Sequence, residues 1–336
     1  MMASKGQQIL FNLPELSAGI YDHCTSRCYH PLKLRWRVSK MWQIIGAGAI
    51  GCLWAANLKR IGQDVHLVTR NDRLTNTLHY QNLQQQQLKF KISCSKTLLN
   101  SDDPVLVCVK ATQVKQAIQD QLQMIRKQQV IILMHNGMGC AEQVQKLLPD
   151  NPIICATTAN ASLLNGPLNI RQTGLGNTYL GAFNQSAKQH KYLLETLNSA
   201  LTNTYWADDI KQKLWLKLVI NSAINPLTAL FQIKNGGLQD SYFEQKIISI
   251  AKESLQIAKA EQIHFKEEEL LKTINQVIAA TAENYSSMNR DLFFQRNTEN
   301  EYINGYLLKK AQQHKIVTPC IESLYQKVMD AERVTS

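Results

Sequence analysis

Between Met41 and Gly51 a short apolar run, Trp42 to Ile45, ends in three glycines spaced Gly46-x-Gly48-x-x-Gly51. A helix-like stretch, Cys52 to Ile61, follows directly. This order calls for a strand, a tight turn and a helix, and each glycine has a separate task in it. Gly46 permits the turn off the strand, and Gly48, lacking a Cβ, lets a pyrophosphate approach the backbone. Gly51 lets the helix pack against the strand, while Ala49 and Ile50 carry the first helical N–H groups. Those N–H groups and the positive end of the helix dipole are suited to hold phosphates. The alternative is a glycine turn with no ligand. A second apolar strand, Val65 to Thr69, lies at the distance expected in a dinucleotide-binding βαβ unit and favours the nucleotide site.

The residue after that second strand bears on the cofactor. A site for NAD usually places Asp or Glu there, on the ribose 2′-hydroxyl. Here the strand ends in Arg70, whose forked guanidinium suits a 2′-phosphate by charge and geometry. NADP(H) is therefore favoured over NAD(H), although Asp72 lies close by. The alternative for Arg70 is a solvated loop charge.

A chain of 336 residues is long enough for two domains with substantial cores, and its 44% apolar and 19% charged content is globular. The formal charge is +11, but the basic residues are scattered rather than clustered, which argues against nucleic acid and for a general attraction of anionic ligands. No apolar run approaches the roughly 18–20 residues of a membrane span. Eight cysteines are widely spaced, and Cys52, Cys94, Cys108, Cys140 and Cys155 sit in or beside apolar segments. Free thiols in a reducing, cytoplasmic compartment are the expectation, not a disulfide framework. Residues 1–40 show no clear period and no signal peptide. Met41 stands directly before the first strand, so it is expected to be the physiological start, with residues 1–40 a misassigned upstream extension or a disordered arm. His23-Cys24 and Cys28-x-His30 do not form a strong zinc pattern.

Beyond Gly62 the chain alternates strands and helices. Leu88 to Ile92 alternates like a half-buried strand, Val105 to Val109 and Val130 to Met134 are continuous apolar runs of buried parallel type, and Pro152 to Thr158 adds another strand. Gly174 to Gly181 reads as hairpin material. The whole implies a doubly wound, mostly parallel sheet with helices on both faces. Ligands bind at the carboxyl ends of such strands. That places Lys110 and Gln113, before a helix starting near Val114, and His135-Asn136-Gly137-Met138-Gly139 near a cofactor. Lys110 as a solvated charge at a strand end is the alternative. His135 ranks below Asn136, whose amide suits a nicotinamide or its ribose.

From Asp208 helical periods dominate, and Asp209 to Leu230 carries Lys217, Asn221 and Asn225 at every fourth position. At ~100° per residue, steps of four return within about 40°, so an ammonium and two amides share one stripe of an otherwise apolar helix. Such a stripe suggests a lined cleft, and a lysine half-buried beside a cofactor becomes a competent proton donor near neutral pH. Pro226 removes a backbone N–H and marks a place where the helix can bend. A helix over Glu269 to Ala280 ends before Glu283 to Met288, and Thr298 suits an N-cap before Glu301. Glu299 is open to a simple reading as a first-turn carboxylate favoured by the dipole.

The motifs Gly46-x-Gly48-x-x-Gly51, Lys110-x-x-Gln113, His135-Asn136-Gly137-Met138-Gly139, Lys217-x-x-x-Asn221-x-x-Ile224-Asn225-Pro226-Leu227-Thr228-Ala229, Asn284-x-Ser286-Ser287-Met288 and Thr298-Glu299 before Tyr302-Ile303-Asn304-Gly305 occur in this order. From Met41 to about Lys327 the chain resembles the ketopantoate reductase (2-dehydropantoate 2-reductase) family. The resemblance implies an N-terminal Rossmann-type doubly wound domain over residues 41–207 and an all-helical C-terminal domain over 208–336, with the active site between them. It implies NADPH-dependent reduction of 2-dehydropantoate to (R)-pantoate, a step of pantothenate and coenzyme A synthesis. By the same resemblance Lys217 is the general acid and Glu299 the second catalytic carboxylate. Arg70, Lys110, Gln113, Asn136 and Glu299 join Gly46, Gly48, Ala49, Ile50 and Gly51 as cofactor contacts. Asn136, Lys217, Asn221, Asn225, Asn235, Asn284 and Ser287 hold the substrate. A small-molecule substrate, no metal, no nucleic acid, no membrane and a monomer or homodimer are expected. The competing readings are a reductase of another branched 2-keto acid and a non-catalytic NADP-binding regulatory protein. Residues 1–40 have no counterpart in the resemblance.

Overall fold

The computed structural model describes residues 41–70 and 76–335. The expectations for residues 1–40, including His23, Cys24, Cys28 and His30, and the neighbour Asp72 lie outside them. The first half of the described chain runs β1 (Met41–Ile45), α1 (Ala49–Arg60), β2 (Asp64–Val68), β3 (Thr77–Gln81), β4 (Gln87–Lys91) and β5 (Ser93–Ser95). It continues through β6 (Val105–Val107), α2 (Ala111–Gln119), β7 (Ile131–Met134), α3 (Cys140–Leu147) and β8 (Ile153–Thr158). β9 (Ala161–Gly166), β10 (Asn169–Gly174), β11 (Thr178–Ala182), α4 (Leu193–Ala200) and β12 (Thr204–Trp206) complete it. Helices follow: α5 (Ile210–Phe231), α6 (Ser241–Ala260), α7 (Glu267–Ala280), α8 (Ser287–Phe293), α9 (Asn300–His314) and α10 (Pro319–Thr335).

The large sheet has the order β12-β11-β8-β7-β6-β1-β2-β5. All its neighbours pair in parallel except β8 and β11. β6 and β7 are buried throughout, as strands covered on both faces must be. One core packs Trp42, Trp54, Leu58, Leu67 and Leu106 on the α1 face. The other packs Val107, Val114, Ile131, Val144 and Ile210 on the α2 and α3 face. The chain order reverses between β1 and β6, and their carboxyl ends open the crevice where a doubly wound fold takes its ligand.

A second sheet, β4-β3-β10-β9, was not foreseen from the sequence. Leu78, Tyr80, Leu168 and Ile170 join it to the core beneath α1. The expected Gly174–Gly181 hairpin is corrected: β10 pairs with β3 and β9, whereas β11 pairs with β8 and β12. The glycine segment crosses between sheets, and Gly176 lies so close to Ala159 that a Cβ would sit 2.6 Å from its carbonyl oxygen.

The helical half has its own core, with Trp215, Val219, Ile224 and Leu227 of α5 at its centre. α5 begins where Asp209 Oδ1 accepts the Gln212 N–H at 3.2 Å and continues through Pro226. Contrary to the sequence expectation, α5 is long and apolar enough to cross a membrane. In the fold, 61% of its most apolar window is packed inside the protein, so it is a core helix. The six described cysteines are free thiols, as expected. Trp215 is fully buried and meets Tyr306 edge-on at 6.0 Å. Trp215→Ala should cost about 3–5 kcal/mol in denaturant unfolding. A change below 1 kcal/mol would show that α5 is anchored elsewhere.

Candidate active site

The turn from β1 to α1 has the geometry its glycines require. Gly46 sits at φ +109°, where a side chain would be strained, and a Cβ on it would meet Val109 Cγ1 at 2.7 Å. A Cβ on Gly51 would collide with the Gly46 carbonyl oxygen. Gly48 is different, because a Cβ there would meet open space. It is the N-cap of α1, without a side-chain cap and without an acidic residue in the first turn. Ala49 and Ile50 therefore begin a helix whose positive end has no side chain capping it, beside open space at Gly48. Arg70 stands exposed just past β2.

Across the crevice, Lys217 projects from α5 and donates from Nζ to the Thr158 carbonyl at the end of β8, at 2.7 Å. The side chain is half-buried, and burial pulls its pKa down to about 8 against the opposing effect of the Glu299 charge. Asn221 is half-buried and Asn225 is buried, one and two turns further along the stripe. Their side-chain amides hydrogen-bond none of the described residues. The start of α8 is pinned beside α5, since Thr228 Oγ1 donates to Ser286 Oγ at 2.8 Å. Ser287, next in the chain, and Asn284 are exposed. Asn235 is joined to Asn284 by its backbone N–H, at 2.9 Å, and its Nδ2 donates to Thr281 Oγ1 at 2.8 Å. Its Oδ1 is buried without a partner.

Glu299 joins the two halves of the chain. It is 7% exposed. Its Oε1 accepts the Ala111 N–H at 2.9 Å, and its Oε2 accepts Asn136 Nδ2 at 3.0 Å. The carboxylate therefore caps α2 from the other half of the protein, which explains why α2 starts at Ala111 rather than near Val114. The cap expected at Thr298 is shifted too: its hydroxyl accepts the Asn300 N–H at 3.0 Å, α9 starts at Asn300, and Glu301 bonds the Tyr325 hydroxyl instead. Lys110 reaches over the same seam. Its amine lies 2.8 Å from Asp291 Oδ1 and donates to the Asn297 carbonyl at 3.0 Å. Asp291 is buried, which raises its pKa despite Lys110 and Arg296. Gln113 sits half-buried in the first turn of α2. His135 is held by a 2.9 Å hydrogen bond between Nδ1 and the Asn136 carbonyl, and burial lowers its pKa. It lines a cavity of about 380 Å³ that Lys217, Asn221 and Asn225 do not line.

Sequence reasoning missed Thr158, Asp291 and the Ala111 N–H, because their partners lie in the other half of the chain. Among the described residues there is no group of three His, Cys, Asp or Glu side chains disposed to hold a metal.

Residues 42–185 match the family model described as ketopantoate reductase PanE/ApbA, and residues 209–332 match the model of its C-terminal part. The chain belongs to the ketopantoate reductase family. The 2-dehydropantoate 2-reductase of Vibrio cholerae is 37% identical over 290 residues, covering 86% of this chain and 97% of the relative. The ketopantoate reductase structure from Ralstonia eutropha JMP134 superposes with a TM-score of 0.80 at 24% identity, over 88% of this chain and 99% of that one. A D-mandelate dehydrogenase solved with NADH and anilino(oxo)acetate has the same fold, with a TM-score of 0.81 at 22% identity over 88% of this chain and 99% of its own.

In this ketopantoate reductase family member, Gly137 lies directly against the helical half. Met138 N–H donates to the Tyr302 carbonyl at 2.8 Å, and a Cβ on Gly137, at φ +79°, would lie 2.5 Å from that oxygen. Gly137→Ala should lower stability by about 1–3 kcal/mol from backbone conformation alone. A melting temperature equal to the parent's would show that the seam gives way freely.

Proposed function

We propose that the chain reduces 2-dehydropantoate to (R)-pantoate, with NADPH as hydride donor and Lys217 as acid. The observation that carries this reading is the Lys217 amine. It sits on an apolar helix, 2.7 Å from the Thr158 carbonyl at the carboxyl end of β8, with a pKa drawn down to about 8. Near neutral pH such an amine is charged and still gives up its proton readily.

The glycine turn suits the cofactor: the open space at Gly48 leaves room for a pyrophosphate at an uncapped helix start. Arg70 would meet the 2′-phosphate, while Lys110, Gln113, Asn136 and Glu299 would line the remainder of the cofactor site. NADPH, when bound, supplies the hydride. As the keto carbon accepts it, the carbonyl π-electrons move to oxygen, which takes a proton from the Lys217 ammonium and leaves a neutral amine. The ammonium offsets the developing charge on that oxygen. The amides of Asn221 and Asn225, with Asn235, Asn284 and Ser287, would bind the substrate's hydroxyl and carboxylate. Glu299 would keep Asn136 oriented and favour the charged form of Lys217. On this reading residues 41–207 bind NADP and residues 208–336 hold the substrate. Free buried thiols suit a reducing, cytoplasmic setting.

Nicotinamide absorbance followed with a panel of 2-keto acids tests the proposal. 2-Dehydropantoate should be turned over in preference to 2-ketoisovalerate, and tight NADPH binding without turnover would instead indicate a regulatory protein. Lys217→Ala should lower kcat by about two orders of magnitude or more while NADPH still binds. An unchanged kcat would remove Lys217 from the reaction. Reduction needs the ammonium, so kcat should hold below pH 8 and fall as pH rises through about 8. A flat profile to well above that pH would contradict the assignment. Arg70→Ala should weaken NADPH far more than NADH, and equal effects would undo the NADP preference.

A further inference from the structure

Thr158 is the last residue of β8, and the peptide joining it to Ala159 has two hydrogen-bonding ends. On one side the Ala159 N–H donates to the Asn177 carbonyl at 2.9 Å. On the other side the Thr158 carbonyl accepts from Lys217 Nζ at 2.7 Å. A peptide unit is planar, so fixing its N–H also aims its carbonyl.

Three polar side chains tie down the same corner. Thr158 Oγ1 lies 2.8 Å from Thr178 Oγ1, its neighbour in the last β8–β11 pair. Asn160 Nδ2 donates to both hydroxyl oxygens at 3.1 Å, and the Asn160 N–H donates to Thr158 Oγ1 at 3.1 Å. Asn160 Oδ1 accepts the Gly176 N–H at 3.3 Å. Asn160 is 5% exposed and Thr178 is fully buried. A closed polar network of this kind holds one arrangement, because any other leaves buried polar groups without partners. The charged and titratable groups that act on the amine, Glu299 at the start of α9 and His135 after β7, lie outside the network.

We propose that Asn160 and Thr178 are positioning residues for the reaction: they lock the Thr158–Ala159 peptide so that its carbonyl holds one hydrogen of the Lys217 amine and leaves another directed at the substrate oxygen. The inference rests on Lys217 being the acid. During reduction the amine loses one proton and keeps two hydrogens, one of them still on the Thr158 carbonyl. It therefore neither swings away nor needs to be repositioned for the next turnover.

Asn160→Leu and Thr178→Val remove the network with little change in volume, and Thr178→Ser keeps the hydroxyl. With 2-dehydropantoate and NADPH, the first two variants should lower kcat about tenfold or more, as a small misplacement of a reacting group does, with KM little changed. Their basic limb should move to lower pH, because an ammonium that loses its acceptor is less stable. Thr178→Ser should restore both. In a Lys217→Ala background, Asn160→Leu should cost no further activity, whereas a merely structural role would still cost it. The proposal is overturned if kcat and the basic limb stay at parental values, if Thr178→Ser fails as badly as Thr178→Val, or if the losses simply add to that of Lys217→Ala. The Lys217 amine can also be titrated directly by nitrogen NMR of lysine-labelled protein, with no substrate present. A downward shift in Asn160→Leu supports the positioning role even if the parent protein does not turn over 2-dehydropantoate, and no shift overturns it.

Discussion

Lys217 lies on a helix in one half of the chain and gives a hydrogen to a carbonyl at the end of a strand in the other. Much of the surrounding structure follows from what that amine requires. A lysine taken out of water loses its proton more easily, and one taken out entirely would not hold a charge at all. Burial lowers the Lys217 pKa and the Glu299 charge opposes that shift, while the Thr158 carbonyl accepts one of the amine's hydrogens. The helix must also be fixed. The Asp209 cap sets its start, and buried Trp215, Val219 and Leu227 hold it in the helical core.

The seam between the two halves is built from the same economy of polar groups. The first N–H groups of α2 have no partner within their own helix. One finds the Glu299 carboxylate instead, and the other carboxylate oxygen takes the Asn136 amide. Lys110 meets buried Asp291 a short distance away, and the Met138 N–H meets the Tyr302 carbonyl. Each of these bonds has one partner at the carboxyl end of a parallel strand and the other near the start of α9 or the end of α8. The strands of a doubly wound sheet all deliver their loops to one edge, so a helical half that packs against that edge meets every loop at once.

The elements with strong local signals were legible in the sequence. β6 and β7 are continuous apolar runs, β1 and β8 are largely apolar, and α5 carries Lys217, Asn221 and Asn225 at a fixed spacing of four. The stripe of Lys217, Asn221 and Asn225 lies on one face by helical geometry alone. Readings that depended on a partner elsewhere went astray. Val114 looks like the first residue of an amphipathic helix, yet Glu299 lets α2 begin at Ala111. Thr298 has the chemistry of a cap, but it bonds Asn300 and not Glu301. Gly174 to Gly181 reads as hairpin material, since nothing local says that β10 and β11 belong to different sheets.

By itself the sequence determined the dinucleotide turn, the buried parallel strands, the long apolar helix and the residue types available to a reductase. These depend on backbone conformation and on periodicity, which act over a few neighbouring residues. Only the tertiary structure decided that Thr158 offers the carbonyl for Lys217, that Asn160 and Thr178 surround Thr158, and that Asp291 faces Lys110. The Lys217 and Lys110 pairings come from the packing of the helical half against the edge of the sheet, the Thr158 cluster comes from the β8–β11 pairing, and no short-range pattern in either partner encodes the other.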